Sequence, residues 1–140
     1  MADSKSIRVL IVDDEPLARK RLRELLKDDS EIIIVGECAN GAETLSSARE
    51  LAPDLIFLDV QMPGMDGLAV SEALNDGGSP LFVFVTAYEQ YAVRAFDAQA
   101  VDYLLKPFDR ARFTRALRRA KERLREKDRD DADSLNDPFR

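Results

Sequence analysis

The sequence has no histidine among its 140 residues, and that absence excludes a good deal of chemistry. Serine–histidine nucleophilic catalysis is closed to it. So are histidine-ligated metal sites, and the chain cannot carry a phosphohistidine of its own. There is one cysteine, Cys38, so no internal disulfide can form, which fits a reducing compartment. Long apolar runs are missing too. A run such as "PLFVFV" (Pro80–Val85) falls far short of the ~20 residues a membrane-spanning helix needs, and the start "MADSKS" lacks the apolar core of a signal peptide. These absences predict a cytoplasmic protein with no membrane partner. Positive charge is in deficit: 21 Lys and Arg face 27 Asp and Glu, for a net charge of -6. Such a chain is a poor general binder of nucleic acid, because each phosphate contact wants Lys or Arg. Whatever chemistry remains must run on Asp, Glu, Lys, Ser or Thr, and a bound metal should be a hard, oxygen-seeking ion.

What is present fits one globular domain, with 45% hydrophobic and 34% charged residues. Strand-like and helix-like segments alternate. "IRVLIV" (Ile7–Val12), "EIIIVGEC" (Glu31–Cys38), "DLIFLDV" (Asp54–Val60), "LFVFVTA" (Leu81–Ala87) and "AVDYLL" (Ala100–Leu105) read as strands. Between them lie amphipathic helical patterns. One opens at Pro16 and carries Ala18, Leu22, Leu25 and Leu26 on one face. A second follows Asn40 and Glu43, which have capping-box spacing. A third is capped by Asp66, and a fourth surrounds Tyr91 to Asp97. The last is capped by Asp109, with an apolar stripe of Phe113, Ala116, Leu117, Ala120 and Leu124. Five β-then-α units predict a doubly wound α/β domain, and near-continuous apolar strands predict a parallel sheet covered on both faces. Residues 1–6 read as an N-terminal tail, 7–125 as the domain, and 126–140 as a charged tail or linker with frayed helix at its start.

In this architecture the strand C-termini share one edge, where ligands bind. The first strand runs into Asp13 and Asp14, the third into Asp59, the fourth into Thr86 and the fifth into Lys106. Two unit charges ~4 Å apart repel by about 4 kcal/mol at an effective dielectric of ~20, so three converging carboxylates call for a cation. Mg²⁺ fits best, since it takes a few carboxylates together with waters and phosphate oxygens. With a hydroxyl and a lysine amine added, the set is equipped for phosphoryl transfer, with a carboxylate as the nucleophile.

At these residues the chain resembles the receiver domain of two-component response regulators, the CheY-like (flavodoxin-like) fold. The likeness covers about Ile7 to Leu124 and is carried by "VDDEP", "LDVQMPGMDG", "VTA" and "DYLLKPF" in that order. The stretch "TAYEQYAVRAFDAQAVDYLLKPFD" is further similar to receivers of LytTR (AlgR/AgrA-like) transcription regulators. The resemblance implies a five-stranded (βα)5 sheet in the order 2-1-3-4-5. It implies Asp59 as phosphoacceptor, and Mg²⁺ held by Asp14, by Asp13 through water, by Asp59 and by the Gln61 backbone carbonyl. Thr86 would sense the phosphoryl group, Lys106 would pair with it, and Tyr103 would be the rotating aromatic of the switch. Gln61 and Tyr88 would tune phosphoryl lifetime, and the Lys106–Pro107 bond would be cis. The implied partners are a sensor histidine kinase and a second copy, paired through the face made by the fourth helix, fifth strand and fifth helix. On that face the bases of the last helix have acidic neighbours in Asp97 and Asp102. DNA would be reached only through an output domain outside this chain.

Plainer readings compete. Asp13 and Asp14 can be a helix cap and its solvated neighbour, Asp59 a turn residue, Lys106 a solvated lysine, and Tyr103 simple packing. Cys38 reads as a small buried residue. A Mg²⁺-dependent phosphohydrolase of the haloacid dehalogenase type also uses a strand-end Asp. It wants a second Asp two positions on, where this chain has Gln61 after Asp59 and Glu15 after Asp13. The expectation is therefore a non-enzyme that promotes only its own phosphorylation and dephosphorylation. It would be either part of a LytTR-type regulator or a stand-alone receiver.

Overall fold

The computed structural model describes residues 6–64, 66–75, 79–92, 94 and 100–135, with side chains to residue 129. Five parallel strands, β1 (Ile7–Val12), β2 (Ile32–Cys38), β3 (Leu55–Asp59), β4 (Leu81–Thr86) and β5 (Asp102–Leu105), form one sheet in the order β2-β1-β3-β4-β5. The described helices are α1 (Pro16–Leu26), α2 (Gly41–Leu51), α3 (Gly67–Leu74) and a long C-terminal helix (Arg110–Leu135). The doubly wound (βα)5 expectation and its strand order hold. Of the helix expected around Tyr91 to Asp97, Tyr91, Ala92 and Arg94 are helical; the rest, with Asp97, lies outside the described residues.

Alternation along the strands divides the core into two layers, because successive side chains leave a strand on opposite faces. Val9, Ile11, Leu55, Phe57, Val83, Val85 and Leu104 face α1 and the C-terminal helix. Leu10, Val12, Ile56, Leu58, Phe82 and Phe84 face α2 and α3. The three inner strands are buried almost throughout, whereas the edge strands β2 and β5 are only partly covered. That division explains why β2 tolerates Glu37 and β5 a partly exposed Tyr103. The last helix buries Phe113, Ala116, Leu117 and Ala120, the stripe its sequence spacing predicts. Phe113 stacks on Phe57 at 5.5 Å and on Phe108 at 6.3 Å between ring centroids.

Three helix starts are capped as the sequence indicates. Asn40 accepts from the Glu43 N–H at 2.9 Å, Asp66 from Ala69 at 2.8 Å, and Asp109 from Arg112 at 2.8 Å. Glu43 reaches back to the Ala39 N–H, one residue earlier than the usual reciprocal partner. The C-terminal helix continues past residue 125 to Leu135. No Gly or Pro stands between Pro107 and Pro138 to stop it, and its many Arg, Lys and Glu are good helix formers. Lys121 ties it to the α1–β2 connection through Asp29 at 2.6 Å and Glu31 at 3.1 Å.

Replacing Phe113 by Ala removes the ring on which Phe57 and Phe108 stack. The expected loss is roughly 3–5 kcal/mol of unfolding free energy, read by urea denaturation. A loss below about 1 kcal/mol would mean that this layer repacks without the ring.

Candidate functional site

Strand order reverses between β1 and β3, and the crevice of a doubly wound sheet opens at such a point. Val12 pairs with Leu58 there, so the next residues, Asp13 and Asp59, emerge side by side. On the other flank Asp59 pairs with Val85, and Thr86 with Leu105. Lys106 follows directly, its N–H bonded to the Thr86 carbonyl at 2.7 Å. Parallel register therefore delivers all four groups to one edge.

Carboxylate oxygens of Asp13, Asp14 and Asp59 lie within 4.8 Å of one another. Asp13 is fully buried, Asp59 is 5% exposed, and Asp14 is open to solvent. Burial of Asp13 is compensated at both oxygens. Oδ1 accepts from the Glu15 N–H at 3.0 Å and Oδ2 from Lys106 Nζ at 2.9 Å. Asp59 is less well served. Its Oδ1 accepts from the Gln61 N–H at 3.1 Å, while its Oδ2 has Lys106 only at 3.9 Å, an ion pair without a hydrogen bond. Burial, then the Asp13 charge, push the Asp59 carboxyl up to about 7, against the pull of Lys106 and the Gln61 N–H, with Asp14 adding to the rise. Burial alone would lower the Lys106 ammonium, but its hydrogen bond to Asp13 and the charges of Asp59, Asp13 and Glu15 raise it above the ordinary lysine value. One ammonium among four acids leaves the site short of positive charge. An all-oxygen donor set in that state suits a hard divalent cation.

A cleft of about 220 Å³ opens over these groups, lined by Asp14, Glu15, Asp59, Gln61, Ala87, Tyr88 and Lys106. Gln61 and Tyr88 thus both line it. Thr86 sits at the end of β4, buried, with its hydroxyl oxygen accepting from the Tyr88 N–H at 3.1 Å. Tyr103 is not in the cleft. It is partly exposed on β5, with the Arg112 guanidinium 5.8 Å from its ring centroid. Arg112 also makes a bidentate contact with Asp102 at 2.7 and 3.0 Å, and Arg119 reaches the same carboxylate at 3.2 Å. The Lys106–Pro107 bond is cis, and Cys38 is buried.

Three contributors escaped the sequence reading. Arg19, a half-buried residue of α1, donates to the Asp13 carbonyl at 2.6 Å and pairs with Glu37 at 3.3 Å. Only the neighbouring β2 strand makes that role visible. Gly67 packs so closely that a Cβ there would overlap the Asp59 carbonyl oxygen, and its N–H closes the loop onto the Val60 carbonyl at 2.8 Å. The Gly in "MPGMDG" was a signal for this, but its reason is tertiary. Tyr91 bonds the side chain of Gln61 across the mouth, a contact between residues that no local pattern links.

The fold and this edge of acids, lysine and hydroxyl define a doubly wound domain with an acidic pocket at its strand ends. Comparison with known proteins narrows that class: the chain belongs to the response regulator receiver domain family, whose model matches residues 9–118. It is 48% identical over 122 residues to the transcriptional regulatory protein BtsR of Escherichia coli (strain K12), covering 87% of this chain and 51% of that protein. The chain thus spans about half the length of the curated relatives it matches. Among solved structures, the response regulatory domain of mrkE from Klebsiella pneumoniae superposes with a TM-score of 0.80 at 33% identity, over 86% of this chain and 99% of that one. CheY from Borrelia burgdorferi, solved in a complex with CheX, BeF3 and Mg²⁺, gives 0.71 at 27% identity, over 81% and 87%. The chain is the receiver domain of a two-component response regulator, and the relatives it matches include transcriptional regulatory proteins. Among the described residues no helix is long and apolar enough to cross a membrane.

The raised Asp59 carboxyl makes stability depend on pH. A carboxyl with a higher pKa folded than unfolded binds protons on folding between roughly pH 4 and 7, so its ionisation costs the folded state stability as pH rises through that window. In EDTA, Asp59→Asn should therefore stabilise the protein by roughly 1–4 kcal/mol at pH 8 and by about a quarter of that at pH 4.5. Urea denaturation at the two pH values reads this. An equal effect at both would mean that Asp59 ionises in the folded state as it does in the unfolded chain.

Proposed function

We propose that Asp59 is the phosphoacceptor, receiving its phosphoryl group from the phosphohistidine of a sensor histidine kinase or from a small acyl phosphate. The observation that carries this is the uneven satisfaction of the three acids. Asp13 has both oxygens bonded, whereas Asp59 lines the cleft and, among the described residues, keeps Oδ2 free of hydrogen bonds. That oxygen forms the bond to phosphorus, the donor's P–N or P–O bond breaks, and the leaving group takes the electron pair. A divalent ion, Mg²⁺ by its fit to this donor set, would be held by Asp14, Asp59, the Gln61 carbonyl and, through water, Asp13; when bound it supplies the charge neutralisation that the site lacks. Lys106 is within reach of the group added to Asp59, and the Thr86 hydroxyl, one strand over, would turn from Tyr88 toward it. Movement of Thr86 and of the β4–β5 connection would then be read out at Tyr103, with Gln61 and Tyr88 tuning lifetime. Gln61, two positions after Asp59, offers no acid for turnover, so the chain acts on its own carboxyl and not on a pool of substrate.

The whole protein, on this reading, is a LytTR-type regulator working in the cytoplasm, with DNA bound by an output domain beyond this chain. The similarity to the transcriptional regulatory protein BtsR over half its length supports a role in transcription regulation; the LytTR type rests on the resemblance of the stretch from Thr86 to Asp109. A second copy would pair through β5, the C-terminal helix and the segment between β4 and β5, with the exposed arginines of the helix beside acids such as Asp102.

Acetyl phosphate with Mg²⁺ is expected to label the wild type at one phosphoryl group per chain, seen by intact mass. Asp59→Asn, or excess EDTA, should abolish the label; a variant labelled at full stoichiometry would move the phosphoacceptor elsewhere. Beryllofluoride with Mg²⁺, mimicking the phosphoryl group, should raise the solution mass toward a dimer by light scattering. An unchanged mass would remove the pairing while leaving the switch in place.

A further inference from the structure

Gln61 is exposed, yet its carboxamide is not free. Nε2 donates to the Tyr91 hydroxyl at 3.2 Å. Tyr91 is well placed to hold it. Its ring meets Tyr88 edge to face at 6.2 Å, the Arg94 guanidinium lies 5.8 Å from its centroid, and it packs against the core layer formed with α2 and α3. Its N–H is bonded to the Tyr88 carbonyl at 3.2 Å. A hydroxyl anchored on the β4 side thus reaches the loop after β3, next to the cleft that Gln61 and Tyr88 both line.

We propose that Tyr91 is a positioning residue that prolongs the phosphoryl lifetime on Asp59 by holding the Gln61 carboxamide away from the attacking water. The inference rests on Asp59 being the phosphoacceptor. In hydrolysis the water oxygen bonds to phosphorus, the bond from phosphorus to the Asp59 oxygen breaks, and its electron pair returns to the carboxylate. The water proton passes to solvent, and inorganic phosphate leaves. A loose carboxamide beside this path can accept a hydrogen bond from the water and orient it, which lowers the barrier. A carboxamide tied to Tyr91 is withheld from that task.

Tyr91→Phe deletes the tether and keeps the ring against Tyr88 and Arg94. After labelling with acetyl phosphate and removal of the donor, the label should decay about fivefold faster in the variant, the factor a neutral hydrogen bond supplies. In a Gln61→Ala background the same change should leave decay unaltered. NMR of the unmodified protein supplies an independent readout: the Gln61 side-chain amide resonance should move in Tyr91→Phe. Equal decay of labelled wild type and variant, a rate increase that persists without Gln61, or an unmoved amide resonance would each overturn the inference alone. A wild-type chain that takes no label would instead overturn the assignment of Asp59, and this inference with it.

Discussion

Everything at the functional edge follows from crowding three carboxylates, two of them buried, around one ammonium. Lys106 sits 2.9 Å from Asp13, 3.5 Å from Glu15 and 3.9 Å from Asp59, and among the described residues no other cation lines the cleft. Such an arrangement survives only because the sheet enforces it. Each acid ends or follows a strand whose register is held by parallel pairing and by apolar layers on both faces. Folding energy drawn from Leu, Ile, Val and Phe burial keeps like charges together, and the resulting field favours a hard cation.

The same geometry makes the lysine a shared resource. In this state its one short contact goes to Asp13, with Glu15 next and Asp59 last. Charge added at Asp59 would compete for that ammonium, and Lys106 is joined through its backbone N–H to Thr86. Thr86 is in turn bonded to Tyr88, and Tyr88 packs on Tyr91. A contiguous set of contacts therefore leads from the carboxylates to the β4–β5 side of the domain, where Arg112 holds both Asp102 and the Tyr103 carbonyl.

Much of this was legible in the residues. Alternation of apolar runs with amphipathic stretches gave five strands and the helices around them. Asn40, Asp66 and Asp109 marked helix starts because a cap depends only on the next three residues. The end of the last helix was harder to place. Its charged continuation carries no apolar stripe, yet nothing in it breaks a helix, so backbone order outruns packing. Arg19, Gly67 and Tyr91 were invisible as site residues for a different reason. Each acts through a partner on another element, and a one-dimensional pattern holds no such pairing.

By itself the sequence determined which residues stand at strand ends, since hydrophobic period and turn chemistry are local properties. It thereby determined that Asp13, Asp14, Asp59, Thr86 and Lys106 share one edge of a parallel sheet. Tertiary structure alone decided how their charges are apportioned: Asp13 fully bonded, Asp59 left with an open oxygen, Gln61 tied to Tyr91, and Tyr103 turned out beside Arg112. Those outcomes depend on distances of a few ångströms between groups far apart in the chain, and only packing sets such distances.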